Sequence, residues 1–383
     1  MKIALITDGI YPYAMGGMQK HSFYLAKYFA QNKVFVVLYH ISINKEFDIH
    51  KLEFFTDEEK KFIRPFVIDF PTFPPLPGHY LKESYQHSIN VFNVLKNNLD
   101  EVSFIYAKGF SGWKLLEEKK KGKKFPPIGV NFHGYEMFQK TASIRQKFES
   151  WLLRSPILFN VRNADYLFSY GGKITPLISN LIPNSANKII EIPTGIDANW
   201  LNHFIQKSQK KKKLLFIGRY ERRKGIEELT AVLKEMINEF DFEFYFIGPI
   251  PNEKKIVSEK IIYHGKISNQ EEIKKVVKSC DMLICPSYSE GMPNVIMEAM
   301  ASGLAVLATD VGAVRELVSD KTGWLMENAE KSKIRQALIT AIKCSDEDLM
   351  QKKLNACNHI QQNFLWENII KDTIQKINMK CEM

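Results

Sequence analysis

Short apolar runs alternate with segments of helical period along almost the whole chain. In the first half the runs are 2–7, 34–40, 103–108, 128–133, 166–170 and 189–193. Each is too short for a helix and too apolar for a half-exposed strand, which predicts strands buried on both faces. The first is followed by a helical segment near 18–31, where Met18, Ser22, Leu25 and Phe29 share one face. Such alternation predicts an α/β fold with parallel sheets covered by helices.

The rhythm stops at 203–213, "HFIQKSQKKKK", and then restarts. Further strands are expected at 214–219, 242–248, 261–265, 282–287 and 304–309, with an amphipathic helix over 225–240. The interruption divides the chain into domains at 1–202 and 203–363. A last helical segment within 364–383 could pack back on either domain. The 383 residues are enough for two such cores.

Net charge is +10, and +7 of it falls within residues 1–200. A modest basic excess suits an anionic ligand or an anionic membrane surface. The lysines are scattered rather than striped with aromatics, which argues against nucleic acid as a partner. Five cysteines without a C-x-x-C pair read as free thiols in a reducing compartment, hence a cytoplasmic protein. The apolar start is too short for a signal peptide, and no run of 18 apolar residues occurs. The segment 143–163 mixes Arg145, Lys147, Arg154 and Arg162 with Phe148, Trp151, Leu152 and Ile157. It reads either as a peripheral contact with the inner membrane face or as a core helix.

Candidate chemistry gathers at the ends of expected strands, where open α/β sheets bind ligands. Gly16 and Gly17 separate the first strand from the first helix and allow close approach of an anion to its N-terminus. They do not make a G-x-G-x-x-G fingerprint. His133 follows a strand, where an imidazole either hydrogen-bonds a sugar or phosphate or simply caps the strand. In "GRYERRKG" (218–225), Arg219 and Lys224 flank a loop entering a helix, a suitable diphosphate site. Arg222 and Arg223 are expected to face solvent. The stretch "PSYSEGMPNVIMEAMASG" (286–303) places Glu290 and Glu298 eight residues apart. Gly291 and Pro293 prevent a helix before 293, so Glu290 belongs to a loop and Glu298 to a nearly apolar helix. A carboxylate on such a helix needs partners, and vicinal sugar hydroxyls supply them. Histidines form no metal-ligand cluster, and "DED" (346–348) after Ser345 reads as a helix cap rather than a metal motif.

Together these pieces resemble the retaining glycosyltransferases of family 4, also described as glycosyl transferases group 1. The resemblance covers nearly the whole chain and is strongest over 214–326. "LLFIGRYERRKGIEEL", "YHGKISNQEEI", the E-x7-E block and "IPTGID" carry it. It implies the GT-B fold, two Rossmann-like parallel-sheet domains facing across a cleft. The first domain would choose the acceptor, the second would hold a nucleotide-sugar donor, and the C-terminal helix, 364–383, would cross back to the first domain.

Arg219 and Lys224 would then bind the donor diphosphate, Glu298 the ribose and Glu290 the transferred hexose. Gly291, Met292, Pro293 and Asn294 would line sugar and phosphate through their backbone. His133 would lie near the reacting bond. Gly16, Gly17 and Gly218 would approach the donor, and Gly265, Lys266 and Ile267 its base. No cofactor or metal is expected. The implied acceptor is a glycan or lipid-linked saccharide, in bacterial cell-surface polysaccharide or lipopolysaccharide synthesis with a UDP- or GDP-sugar. Leu304 departs from a frequent family proline, and Gly171–Gly172 from a Ser/Thr-rich stretch. A UDP-sugar 2-epimerase of the same fold and a non-catalytic nucleotide-sugar-binding protein are the alternative readings.

Overall fold

A computed structural model describes residues 1–14, 16–41, 51–76, 78–202, 204–207 and 211–381. Parts of the expected linker (203 and 208–210) and of the final segment (382–383) therefore lie outside the described residues. The first sheet contains β1 (Lys2–Ile6), β2 (Phe35–His40), β3 (Ile63–Val67), β4 (Phe104–Lys108), β5 (Ile128–Asn131), β6 (Tyr166–Ser169) and β7 (Ile189–Glu191). Their spatial order is β3-β2-β1-β4-β5-β6-β7. The second contains β8 (Lys212–Ile217), β9 (Phe242–Ile247), β10 (Ile261–Gly265), β11 (Met282–Cys285), β12 (Ala305–Thr309) and β13 (Gly323–Met326). Its order is β10-β9-β8-β11-β12-β13. Every described pairing is parallel.

Each apolar run named above holds a strand, usually shorter by a residue or two. Central strands such as β4, β11 and β12 are buried throughout, because helices cover both faces. Two strands were not expected. β3 carries Arg64 and Pro65, and a proline is tolerated there because β3 is an edge strand. β13 is also an edge, with only four residues, beginning at Gly323.

The Trp366–Cys381 helix returns to the first domain and packs on the Gly17–Gln31 helix. Trp366 is 1% exposed and stacks on Tyr24 and Tyr28. The two chain crossings are stitched together there: Ile196 N–H donates to Phe364 O at 2.8 Å and Trp366 N–H to Ile196 O at 3.1 Å. A Cβ on Gly195 would lie 2.6 Å from the Trp366 ring, so the close approach requires glycine.

The 143–163 segment does two things. Its helix, Ile144–Asn163, buries Ile157, Asn160 and Val161, while Ile144, Phe148 and Trp151 are exposed on one side of its first half. Among the described residues, no helix is long and apolar enough to cross a membrane.

Candidate active site between the two domains

The carboxyl ends of both sheets face one cleft of 510 Å³. Gly17, His133, Arg219, Lys224, Glu290, Gly291, Met292, Pro293 and Asn294 all line it. Residues from far-separated parts of the chain meet because each follows a strand: Gly17 after β1, His133 after β5, Arg219 after β8 and Glu290 after β11.

Two loops of the second domain are zipped together to place the charges. Tyr288 N–H donates to Arg223 O at 2.8 Å. Gly225 has φ 66, and a Cβ on it would stand 1.9 Å from Pro286 O, so only glycine lets the basic loop close down. Glu290, 5% exposed, then accepts from Lys224 Nζ at 2.5 Å and Ser287 Oγ at 2.7 Å, both through Oε1. Arg223 Nη1 reaches its Oε2 at 3.5 Å and donates to Ser289 O at 2.9 Å. Burial alone would push the Glu290 carboxyl up, but Lys224 and then Arg223 outweigh it and hold the group below the usual range. The glutamate has no cation nearby in sequence, yet two cations from a different loop hold it in space.

The expectation for Arg223 is corrected: it does not face solvent but lines the cleft beside Glu290. Arg222 is also engaged, pairing with Glu228 and lying over the Tyr288 ring. Three adjacent basic residues on a tight 3-10 turn point in different directions, and sequence spacing does not show which points inward. Arg219 stands at the cleft edge, 74% exposed, with Nη2 2.8 Å from Glu221.

Below Glu290 the Asn294–Ala301 helix begins, with Pro293 as its N-cap. Ile296 N–H is taken by Pro293 O at 3.1 Å, but the N–H groups of Asn294 and Val295 precede any intrahelical acceptor and carry the positive end of the helix dipole toward the cleft. Glu298, one turn further, belongs to an adjoining small cavity of 30 Å³ lined also by Lys20, His21, Tyr24, Asp197 and Asn294. Lys20 Nζ of the first domain lies 3.5 Å from Glu298 Oε1 across the cleft. Gly16, Gly218, Gly265, Lys266 and Ile267 line neither cavity. Gly265 ends β10, its carbonyl accepting from Gly248 N–H at 2.8 Å.

On the first-domain side, His133 has φ 60, fixed by its N–H donating to Asn131 Oδ1 at 2.7 Å. Its Nδ1 is 2.5 Å from Tyr170 OH, whereas its buried Nε2 has no hydrogen-bond partner among the described residues. Burial, reinforced by Lys108, holds the imidazole pKa well below its ordinary value, so the ring is neutral. Glu136, in the same wall, has its carboxyl raised by burial against the pull of Arg223. The two walls touch at glycines: a Cβ on Gly134 would meet Gly291 N at 2.6 Å. Gln139 Nε2 donates to both Gly134 O (2.5 Å) and Glu290 O (2.7 Å), bridging the domains.

Sequence reasoning missed Arg223, Glu136, Tyr170, Lys20 and His21 in these walls. His21 left one signal, since it lies a single helical turn after Gly17.

Residues 211–344 match the family model described as glycosyl transferases group 1. The chain is 24% identical to the uncharacterised glycosyltransferase MJ1178 of Methanocaldococcus jannaschii over 85% of this chain and 88% of that one. It is 31% identical to D-inositol 3-phosphate glycosyltransferase of an Arthrobacter species, over 30% of each chain. Alignments above 30% identity thus span only about a third of such relatives. Among solved structures, sucrose-phosphate synthase from Thermosynechococcus elongatus superposes with a TM-score of 0.77 at 17% identity, covering 99% of this chain and 98% of that one. Anabaena Alr3699/HepE in complex with UDP and glucose does so with 0.69 at 17% identity, covering 99% and 100%.

The whole chain has the GT-B fold, and its second domain matches the glycosyl transferases group 1. The matched segment runs from β8 past the last strand of the second sheet. It therefore contains the basic loop, Glu290, Glu298 and the helix between them. The first domain, with His133 and the exposed end of the Ile144–Asn163 helix, lies outside that match.

Proposed function

We propose that this protein transfers a hexose from a nucleotide-sugar donor, UDP- or GDP-linked, to a glycan or lipid-linked acceptor with retention of anomeric configuration. The observation that carries the reading is Glu290, buried at the cleft floor between Lys224 and Arg223 and directly before a helix N-terminus. That grouping offers a carboxylate to sugar hydroxyls and cations plus free N–H groups to a diphosphate. Glu298, eight residues on, suits ribose hydroxyls.

In the proposed step the acceptor oxygen bonds the anomeric carbon on the face the leaving group departs from. The bond from that carbon to the phosphate oxygen breaks and its electron pair stays with the phosphate. The acceptor hydroxyl proton moves to the same phosphate oxygen. Lys224, Arg223, Arg219 and the helix N-terminus stabilise the charge that develops there, where losing one preorganised donor costs roughly 10²–10³-fold in kcat. These cations do the charge work, so no metal is invoked. His133, with its unpartnered Nε2 in the cleft wall, is assigned to the donor sugar.

The first domain chooses the acceptor in this reading. Its cleft wall includes Met18, Phe110, Phe132, Met137, Leu153 and Ile157. Leu153 and Ile157 belong to the same helix whose exposed end carries Ile144, Phe148 and Trp151 beside Arg145 and Lys147. That combination suits an anionic bilayer on the cytoplasmic side holding a lipid-linked acceptor, in cell-surface polysaccharide synthesis.

The test is donor hydrolysis by purified protein with UDP-, GDP- and ADP-sugars, followed by flotation with anionic vesicles at two salt concentrations. Release of nucleoside diphosphate and sugar from one donor class is expected. A sugar nucleotide returned as its 2-epimer, or bound without turnover, would overturn transfer as the activity.

A further inference from the structure

Behind His133 lies a buried set of polar groups that the sugar-transfer reading leaves without a task. His21, one turn into the Gly17–Gln31 helix, is 6% exposed. Its Nδ1 lies 2.8 Å from Nζ of Lys108, itself 1% exposed at the end of β4. The His21 ring packs edge-on against Trp366 at 5.2 Å and His133 at 5.3 Å, and lies 5.9 Å from Tyr170. Three aromatic neighbours and one hydrogen bond leave the ring little freedom to turn.

Its position is specific. His21, Thr194 and Asn294 are the residues common to the Glu290 cleft and the Glu298 cavity. A ligand reaching from one glutamate to the other passes this junction. Burial pulls the Lys108 pKa well below its ordinary value and Asp8 opposes that pull. In its protonated form Lys108 has donors and no acceptor, so it donates to Nδ1 and leaves the ring proton on Nε2. Asp8, whose carboxyl burial raises to about 6 against the pull of Lys108, partly balances that lysine. Burial, with Lys108 beside it, keeps the His21 imidazole neutral. A fixed N–H donor at the junction of the two cavities suits an anionic oxygen.

We propose that His21 is a further catalytic residue, its Nε2–H donating to a diphosphate oxygen of the donor, and that Lys108 is the positioning residue that sets its tautomer. This rests on the sugar-transfer reading above. As the bond to the phosphate breaks, negative charge grows at that oxygen, so the hydrogen bond strengthens along the reaction. The effect therefore falls more on kcat than on donor affinity.

The experiment compares His21→Gln, His21→Asn and His21→Ala for turnover of the donor the wild type accepts. Nucleoside diphosphate binding is followed by calorimetry and folding by thermal melting. The glutamine amide reaches the place of Nε2, whereas the asparagine amide reaches only that of Nδ1. His21→Asn and His21→Ala are expected to lose about 10²-fold in kcat, the range for one oxyanion donor. His21→Gln is expected to recover most of it. Lys108→Met is expected to lower kcat about 10-fold in the wild type but not in the His21→Gln background, where no tautomer remains to set. Equal kcat for His21→Ala and wild type would overturn the proposal. So would a folded His21→Gln as slow as His21→Ala, or an equal Lys108→Met loss in both backgrounds. If the wild type turns over no sugar nucleotide, the transfer reading itself falls. An active wild type with an indifferent His21 removes only this inference.

Discussion

Gly134→Ala adds one methyl group at the place where the two domains touch. The backbone at Gly134 lies outside the left-handed region, so alanine meets no conformational penalty of its own. The new Cβ would stand 2.6 Å from Gly291 N, 2.7 Å from Gly291 Cα and 2.9 Å from Glu290 C. All three are backbone atoms, so no side chain can rotate away. The methyl must retreat by about 0.8 Å to reach ordinary contact at 3.4 Å, and only movement of one domain against the other supplies that. Overpacking of this kind costs about 1–3 kcal/mol. Here it falls on the closed arrangement alone, because each domain has its own sheet and core. At ~1.4 kcal/mol per factor of ten, the ratio of closed to open molecules drops about 5- to 150-fold. Turnover should fall by up to that factor, because the His133 wall no longer meets Glu290. Nucleoside diphosphate affinity should stay within about threefold, since the proposed diphosphate cations and Glu298 sit on the second domain. Steady-state turnover with calorimetry and small-angle scattering measures all three quantities. A variant that turns over within twofold of wild type would show that closure at Gly134–Gly291 is not part of the working state.

Three other outcomes are expected. Lys224→Ala and Glu290→Gln should each lower transfer at least ~10²-fold with the fold intact by circular dichroism, and Lys224→Ala at near wild-type turnover would remove the diphosphate assignment. Trp366→Ala should cost about 3–5 kcal/mol in denaturant unfolding, because it empties a fully buried site that joins both chain crossings to the first domain; a loss below 1 kcal/mol would contradict that role. As pH falls below about 6.5 the unfolded chain takes up protons that the buried, neutral His21 and His133 refuse, so each imidazole lowers stability, while Asp8, raised to about 6, and Glu136, also raised, act in the opposite sense below their folded values. The slope approaches ~1.4 kcal/mol per pH unit for each imidazole, so His21→Gln should be less acid-sensitive than wild type, and equal slopes would refute the linkage.

The local features were legible because short-range physics fixes them. Doubly buried strands need continuous apolar runs, so the central strands of both sheets stood out, and with them the two-domain α/β architecture. Proline and glycine split the glutamates, leaving Glu290 on a loop and Glu298 inside the Asn294–Ala301 helix. Edge strands β3 and β13 escaped because half-exposed edges accept Arg64, Pro65 and a brief four-residue span. What only the tertiary structure decided is which groups face one another. Nothing in "ERRK" tells Arg223 from Arg222, because the turn that aims them depends on Gly225 packing against Pro286 some sixty residues away. The cations that pair with Glu290 come from another loop, and the lysine beside Glu298 from another domain. His21 and Lys108 meet 87 positions apart, since β1 and β4 are neighbours in space and not in sequence. Sequence periodicity records which face of each element is buried. Pairing of charges across a cleft is set by sheet order and domain closure, and these leave no local pattern in the chain.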